Sequence, residues 1–557
     1  MTKTAVLDMH ALNLTPRQRL EILGAILLAL FLFALDQTVV GTALPRIITD
    51  LHGNELYAWS VTVYLLTGTI SGPIYGKLSD LFGRRPIILF AVGLFIVASI
   101  LAGLSQDMGQ FLVFRGLQGL GGGAVFPVSL ALVADLYTPA ERGKYLGFFG
   151  AVFGLSSLVG PAIGGLITDN LTWHWIFFVN VPVGLVSLVV LWRLLPAIRR
   201  PDAGRNIDFV GAAVFTAAVG SLLIGLTNKG LTHVVNGLPV PNDWNDPSVG
   251  GLVLLGLLLG AVFVWVESRA PEPIVPLSLF RIPAFRISVG ATLLAAFGFF
   301  GAVLFLPRWF QTVGGASATE SGYSILPLLV GLIFSAIASG QIVARTHRYK
   351  LLMLGSLVLL AFSLFLLTNL RAETDRPTLW LWMALAGLGI GPSFAVFTLI
   401  VQNEVAMEHV GTATSSLTFF QQIGGTIGLT IASTLFASRF SEELPKQLAS
   451  AGLPPQFVSA FASGGVANLT GTGDLGKVIL AAVPPEQQAF VQPLIPAIVH
   501  AIYEAVSIGI ASTFWVGIAG ALLAAGLVVF LREKPMRSTF EMGAPAPDTS
   551  PAQGAAS

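Results

Sequence analysis

The chain has 557 residues, 54% of them hydrophobic and 11% charged, with a formal charge of +1 and no cysteine. Soluble domains carry about 25% charged residues, so this composition excludes an ordinary soluble domain. The near-neutral charge argues against a nucleic-acid partner, and the missing thiols exclude disulfides and thiolate metal sites.

Apolar runs of about 20 residues, the length that crosses a hydrocarbon core at ~1.5 Å per helical residue, recur along the chain. In order, spans are expected over 22–44, 56–76, 86–104, 109–134, 146–168, 174–192, 209–227, 248–266, 287–307, 321–343, 351–369, 379–402, 412–437 and 507–531. The first run exceeds the core of a signal peptide, about 7–15 residues, and reads as a retained helix. Fourteen spans put both termini on one side. The segments on that side hold 21 of the 30 Lys and Arg, the opposite side holds eight, and Arg115 lies inside a span. Because cationic loops stay cytoplasmic, both termini are expected inside. Segment 403–411 breaks the trend, with Glu404 and Glu408 and no Lys or Arg.

The chain also repeats itself. "GLGGGAVFPV" at Gly119–Val128 returns as "GLGIGPSFAV" at Gly387–Val396, and "LPR" at Leu44–Arg46 returns at Leu306–Arg308. Two related halves explain both matches: a six-helix bundle over 1–207, a two-helix insertion over 208–283, and a second six-helix bundle over 284–557. Such repeats place a substrate site near the midplane between halves. A long external loop is expected over 438–506, with helix leading into the last span after Pro496, and a disordered Pro/Ala/Ser-rich tail over 535–557.

Asp36 and Arg115 are the residues that ionise deep within spans. Asp36 lies about 12 Å from the outer end of the first helix and Arg115 about 9 Å into the fourth. An Asp at the bilayer centre costs roughly 2.5–3.5 kcal/mol on insertion scales, so opposite charges at similar depth seek each other or water. A static pair that fixes packing is one reading. The functional reading is a carboxylate that takes and releases a proton in response to Arg115, water and cargo. Further along, "GPIYGKLSDLFGRRP" misses a phosphate loop by one residue of glycine spacing and has Leu78 where Ser or Thr is required. Gly76 permits close helix approach, Asp80 supplies an acid, and Gly83 allows a sharp turn before Arg84 and Arg85. This reads as a positive-inside loop and, more sharply, as an Asp–Arg latch.

"GKLSDLFGRR" resembles the loop motif of the major facilitator superfamily, with Leu81 where Arg is commonest. "RGLQGLGGG" is similar to that family's helix-four motif and "GLSSLVGPAIGG" to its antiporter motif. "LDQTVVGTALP" and "WHWIFFVNVP" resemble signatures of the fourteen-helix drug:proton antiporter group. The resemblance spans about residues 20–535. It implies an all-α polytopic major facilitator fold, with Asp36 as the proton site and Arg115 as its tuning partner. It also implies a latch of Gly76, Asp80, Gly83, Arg84 and Arg85, and a bending helix five through Gly154, Gly160, Pro161, Gly164 and Gly165. Pro161 removes a helix hydrogen bond, a physical basis for bending.

Departures accompany the match. His174 stands where the group usually has Arg, as a pH-sensitive contact or an interfacial belt residue. Met383 replaces the second-half counterpart of Arg115, and Ala344 stands where the loop Asp would fall, which confines the expected proton chemistry to the first half. A cargo wall without fixed charge is expected from Gln37, Thr38, Gln118, Phe394, Phe397, Phe419, Phe420, Gln421 and Gln422.

The expected function is a bacterial inner-membrane secondary transporter, working as a monomer, that exports lipophilic compounds or drugs in exchange for protons. It needs no cofactor or metal beyond the proton gradient. Export of a lipid, siderophore or other endogenous metabolite is the alternative. A membrane enzyme is disfavoured because no H-E-x-x-H occurs, and an ATP pump because no phosphate loop exists.

Overall fold

The computed structural model describes residues 14–52, 56–196, 207–229, 232–235, 238–454, 458, 475–482, 488 and 491–534. The long helices are α1 (Pro16–Asp50), α2 (Tyr57–Phe82), α3 (Arg84–Gly103), α4 (Met108–Leu136), α5 (Pro139–Asn170), α6 (Asn180–Leu194), α7 (Phe209–Lys229) and α8 (Leu252–Glu267). They continue with α9 (Pro283–Thr312), α10 (Leu326–Thr346), α11 (Lys350–Leu367), α12 (Arg376–Glu404), α13 (Val410–Ser450) and α14 (Ile495–Val529). A short hairpin that the apolar pattern does not announce, β1 (Thr232–Val235) against β2 (Leu238–Pro241), joins α7 to α8.

Helix starts follow local chemistry at the polar turns. Thr15 with Gln18 and Thr138 with Glu141 form capping boxes ahead of Pro16 and Pro139, while Asp107 and Asp375 cap the first turns of α4 and α12. Gly83, at φ 94°, breaks α2 from α3, a backbone that favours glycine.

Eleven helices among the described residues are long and apolar enough to cross a membrane, against the fourteen spans expected. The other three long helices, α2, α5 and α13, span 26, 32 and 41 residues. They are rich in Ser, Thr and Gly, and their packing supplies the reason. α2 lies along α13, and α5 along α10, so these helices spend much of their surface on protein rather than lipid.

Around those seams, α1 packs on α5, α6 and α4, and α4 also holds α2 and α3. Later in the chain α9 packs on α13, α14 and α12, while α11 packs on α12 and α14. α7 and α8 pair with each other, and α7 leans on both α2 and α13. There Phe215 sits 5.1 Å from the rings of both Phe263 and Phe419.

The loop expected over 438–506 is helical at both ends. α13 continues to Ser450 and α14 begins at Ile495, with another helix at Leu475–Ala482. Its Ala and Pro content concealed an apolar repeat: Phe436, Phe440, Leu444 and Leu448 recur every fourth residue, and all are buried along with Ile479, Ile498 and Ile502. Most of 455–474, and the tail expected over 535–557, lie outside the described residues.

Both described chain ends lie at one end of the bundle. Tyr137 donates to the Arg19 carbonyl at 3.3 Å, and Glu533 accepts from the Tyr349 and Lys350 backbone N–H groups at 2.8 and 2.7 Å. Lys534 reaches Glu404 at 2.6 Å. The cation missing from segment 403–411 is thus supplied by the C-terminal segment, which explains Glu404 in an expected basic stretch.

Candidate functional site: a buried carboxylate and an inter-helix latch

Asp36 is 1% exposed and is enclosed by four helices besides its own. Its Oδ2 accepts from an Arg115 terminal nitrogen at 2.5 Å. Its Oδ1 accepts from Gln118 Nε2 at 2.8 Å and from Asn180 Nδ2 at 3.1 Å. Ser99 Oγ accepts from the same two amides at 2.7 and 3.4 Å, and Arg115 also donates to Gln118 Oε1 at 2.6 Å. The guanidinium lies 4.1 Å from the centre of the Tyr64 ring, while its Nε has no acceptor. α1, α2, α3, α4 and α6 therefore converge on one carboxylate.

The glycine run of α4 makes that convergence possible. A Cβ on Gly122 would lie 2.6 Å from the Phe33 ring, and one on Gly121 would lie 2.7 Å from the Phe95 backbone nitrogen. Side chains there would push α4 off α1 and α3 and withdraw Arg115 from Asp36.

Among the described residues, the matching positions of the sequence repeat carry no such network. Gly298 occupies the repeat position of Asp36, where a Cβ would meet Leu364 at 2.6 Å and Gly517 at 3.2 Å. Met383 and Ala386, at the repeat positions of Arg115 and Gln118, are buried in apolar core.

A second cluster joins α2 and α4 to α13 at the end that holds both described chain ends. Asp80 pairs with Arg84 at 2.5 Å, and Arg84 reaches Asp135 at 2.9 Å and Ser79 Oγ at 2.6 Å. Asp80 also accepts from the backbone N–H groups of Gly411 and Thr412 at 3.1 and 2.7 Å and from the Thr412 hydroxyl at 2.7 Å. These are the orphan donors at the start of α13, where the helix dipole favours an anion. Gly76 lets α2 touch Ser415 and the Gly411 carbonyl. Beside this cluster Arg142 donates to the carbonyls of Tyr137 and Ala134 at 3.0 and 2.7 Å and to that of Gln402 at 3.4 Å. Gln402 Nε2 returns to the Leu130 carbonyl at 3.2 Å. Arg85 stands apart from the latch in which it was expected. It donates to the Trp192 carbonyl at 2.5 Å, because the residue after Gly83 turns inward and the next one turns outward.

The remaining expected residues scatter. Gly154 packs α5 against Ile333 of α10, and Gly160 packs it against Thr38, which donates to the Ser156 carbonyl at 3.1 Å. Pro161, Gly164 and Gly165 lie within an unbroken α5. Of the expected cargo wall, Gln118 belongs to the Asp36 network, Phe397 is wholly buried, and Phe419 packs on α7. Gln422 accepts from Thr69 at 2.5 Å across the α2–α13 seam. Phe394 and Phe420 make edge contacts with Phe299 and Phe280, and Gln37 and Gln421 are half-buried.

His174 stacks on Trp173 at 3.8 Å. Asn180, Ser99 and Tyr64 escaped the sequence reading. Asn180 lies in the quoted "FVNVP", and an amide in a membrane span was the available signal. The described residues contain no cluster of His, Cys, Asp and Glu suited to a metal ion.

A family model described as Major Facilitator Superfamily matches residues 26–429. The multidrug transporter protein MdtP of Bacillus subtilis is 37% identical over 77% of this chain and 78% of its own. Multidrug resistance protein 3 of Bacillus subtilis is 32% identical over 93% of this chain and 96% of its own. The tetracenomycin C resistance and export protein of Streptomyces glaucescens is 32% identical over 94% of each chain. Among solved structures, the proton:xylose symporter XylE superposes with a TM-score of 0.57 at 14% identity, over 93% of this chain and 98% of that one, a likeness of fold alone. On the family match, these relatives and the apolar helices, the chain is a multi-pass membrane protein that belongs to the Major Facilitator Superfamily, a family of transporters and not of enzymes.

Proposed function

We propose that this protein is a proton-coupled secondary exporter of lipophilic compounds. It carries fourteen spans in the cell (inner) membrane, arranged as two six-helix halves with α7 and α8 inserted, and both termini lie in the cytoplasm. Protons enter as cargo leaves, by alternating access and without a cofactor. The relatives named as multidrug and tetracenomycin C exporters support lipophilic cargo. The observation that carries proton coupling is a carboxylate buried within a span, Asp36, held by Arg115, Gln118 and Asn180. A proton arriving there removes the charge that Arg115 and the amides hold, so the five-helix junction has two arrangements for alternation to follow.

The test is inverted membrane vesicles with an imposed pH gradient and a panel of lipophilic cargo. Cargo-dependent proton release, matched by cargo uptake, is the expected result. Uptake that ignores the gradient rejects coupling, and a preference for lipids or siderophores over drug-like compounds replaces the cargo class.

Asn180→Leu keeps similar bulk but removes a donor to the carboxylate. A hydrogen bond to a charged group contributes about 1.5–3 kcal/mol. The variant is expected to export roughly tenfold more slowly, with a shifted pH profile. An unchanged rate and profile in well-folded protein would separate Asn180 from the coupling site.

A further inference from the structure

The buried arginines each have acceptors for terminal nitrogens: Arg84 in Asp80 and Ser79, Arg115 in Asp36 and Gln118, Arg142 in backbone carbonyls. Arg308 differs. It lies about one turn from the end of α9, half-buried, with its guanidinium 4.7 Å from the centre of the Phe436 ring. Among the described residues it has no ion pair and no hydrogen-bond acceptor. A guanidinium presents five donors in a fixed fork that matches a carboxylate. A ring face satisfies its charge in part and none of those donors.

Its surroundings are open at Leu304, whereas Gly301 is buried and Gln311 donates to Ser321 Oγ at 2.7 Å. Gly301, Leu304, Arg308 and Gln311 form one stripe along α9 at helical spacing. A Cβ on Gly301 would meet nothing within 4 Å, and Leu304 is 50% exposed. α9 packs on α13, α14 and α12, and Arg308 lies on its α13 side, against Phe436. Arg308 is near the end of α9 remote from the Asp80 latch, where the halves are not pinned by that cluster.

We propose that Arg308 is an anion subsite, which takes the carboxylate, phenolate or sulfonate of an amphiphilic organic acid whose apolar body lies along Leu304 toward Gly301. This rests on the reading of the protein as an exporter of lipophilic compounds and narrows its cargo to include organic acids. It also places a fixed charge in a cargo wall that the sequence presented as uncharged.

The test is equilibrium binding to the purified full chain in lipid nanodiscs, without any gradient, using 1-pyrenebutyrate and its neutral methyl ester. The acid is expected to bind the parent more tightly than the ester. Arg308→Gln should weaken the acid about tenfold or more, the size of one charge-assisted hydrogen bond, and leave the ester unchanged. Arg308→Lys should recover part of the difference. Leu304→Glu, at an exposed position one turn away, should neutralise the subsite and lower acid binding without touching Arg308. An arginine that merely reaches to the interface predicts no preference for the acid in the parent, or equal effects of Arg308→Gln on both probes, and either result overturns the proposal. Because no gradient is present, that failure leaves proton coupling untouched, and vesicle transport by Asp36 variants decides coupling separately.

Discussion

Asp36→Asn is expected to abolish gradient-driven export while the protein still inserts. Asparagine keeps the shape and an acceptor for Arg115, but it cannot cycle a proton at neutral pH. It also leaves the guanidinium, 2% exposed, without its counter-charge. Removing one member of a buried pair costs about 3–5 kcal/mol, softened here by the Tyr64 ring at 4.1 Å. A drop in thermal stability is therefore expected with the single variant and must be separated from coupling. The paired variant Asp36→Asn/Arg115→Gln removes both charges and keeps an amide at each position. Its stability should recover most of the loss, whereas its gradient-driven export should not recover. Export at the parental rate by the paired variant would assign the ion pair to packing alone.

Asp80→Asn is expected to loosen α2 from the start of α13 at the end holding both described chain ends. The carboxylate accepts three hydrogen bonds from the start of α13 and one ion pair from Arg84. An amide accepts at only one of its two polar atoms and turns its NH2 toward N–H donors. Hydrogen bonds to a charged group contribute about 1.5–3 kcal/mol each, and every 1.4 kcal/mol is about tenfold in a population. Loss of even one should raise the open population by about tenfold or more. The chain lacks cysteine, so Ser415→Cys, wholly buried where Gly76 meets α13, gives a clean reporter. Thiol labelling should accelerate by about that factor when Asp80→Asn is added. Equal labelling with and without the substitution would remove Asp80 from the latch. Asp135→Asn, which reaches α13 only through Arg84, should give a smaller acceleration in the same assay.

The same two sites mark how far the sequence could be read. Hydropathy exposed the helices because lipid demands continuous apolar surface, and it placed α2, α5 and α13 as well, although these are less apolar because they lie against other helices. Asp36, Arg115 and Asp80 were legible because an ionisable group in or beside a span is costly and therefore rare. Their partners were not. Asn180, Ser99 and Tyr64 are ordinary residue types far apart in the chain, and only the packing of α2, α3, α4 and α6 around α1 brings them within reach of one carboxylate.

The sequence by itself determined the all-helical membrane architecture, the repeated motifs and the acid within an apolar run, since each depends on composition or short-range spacing. The tertiary structure alone decided which atoms that acid meets. It paired Asp80 with the start of α13 and Lys534 with Glu404, and among the described residues it left Arg308 without an acceptor. Hydrogen bonds and ion pairs act over about 3 Å, whereas these partners lie 79 to 332 residues apart along the chain, so only the folded packing could specify them.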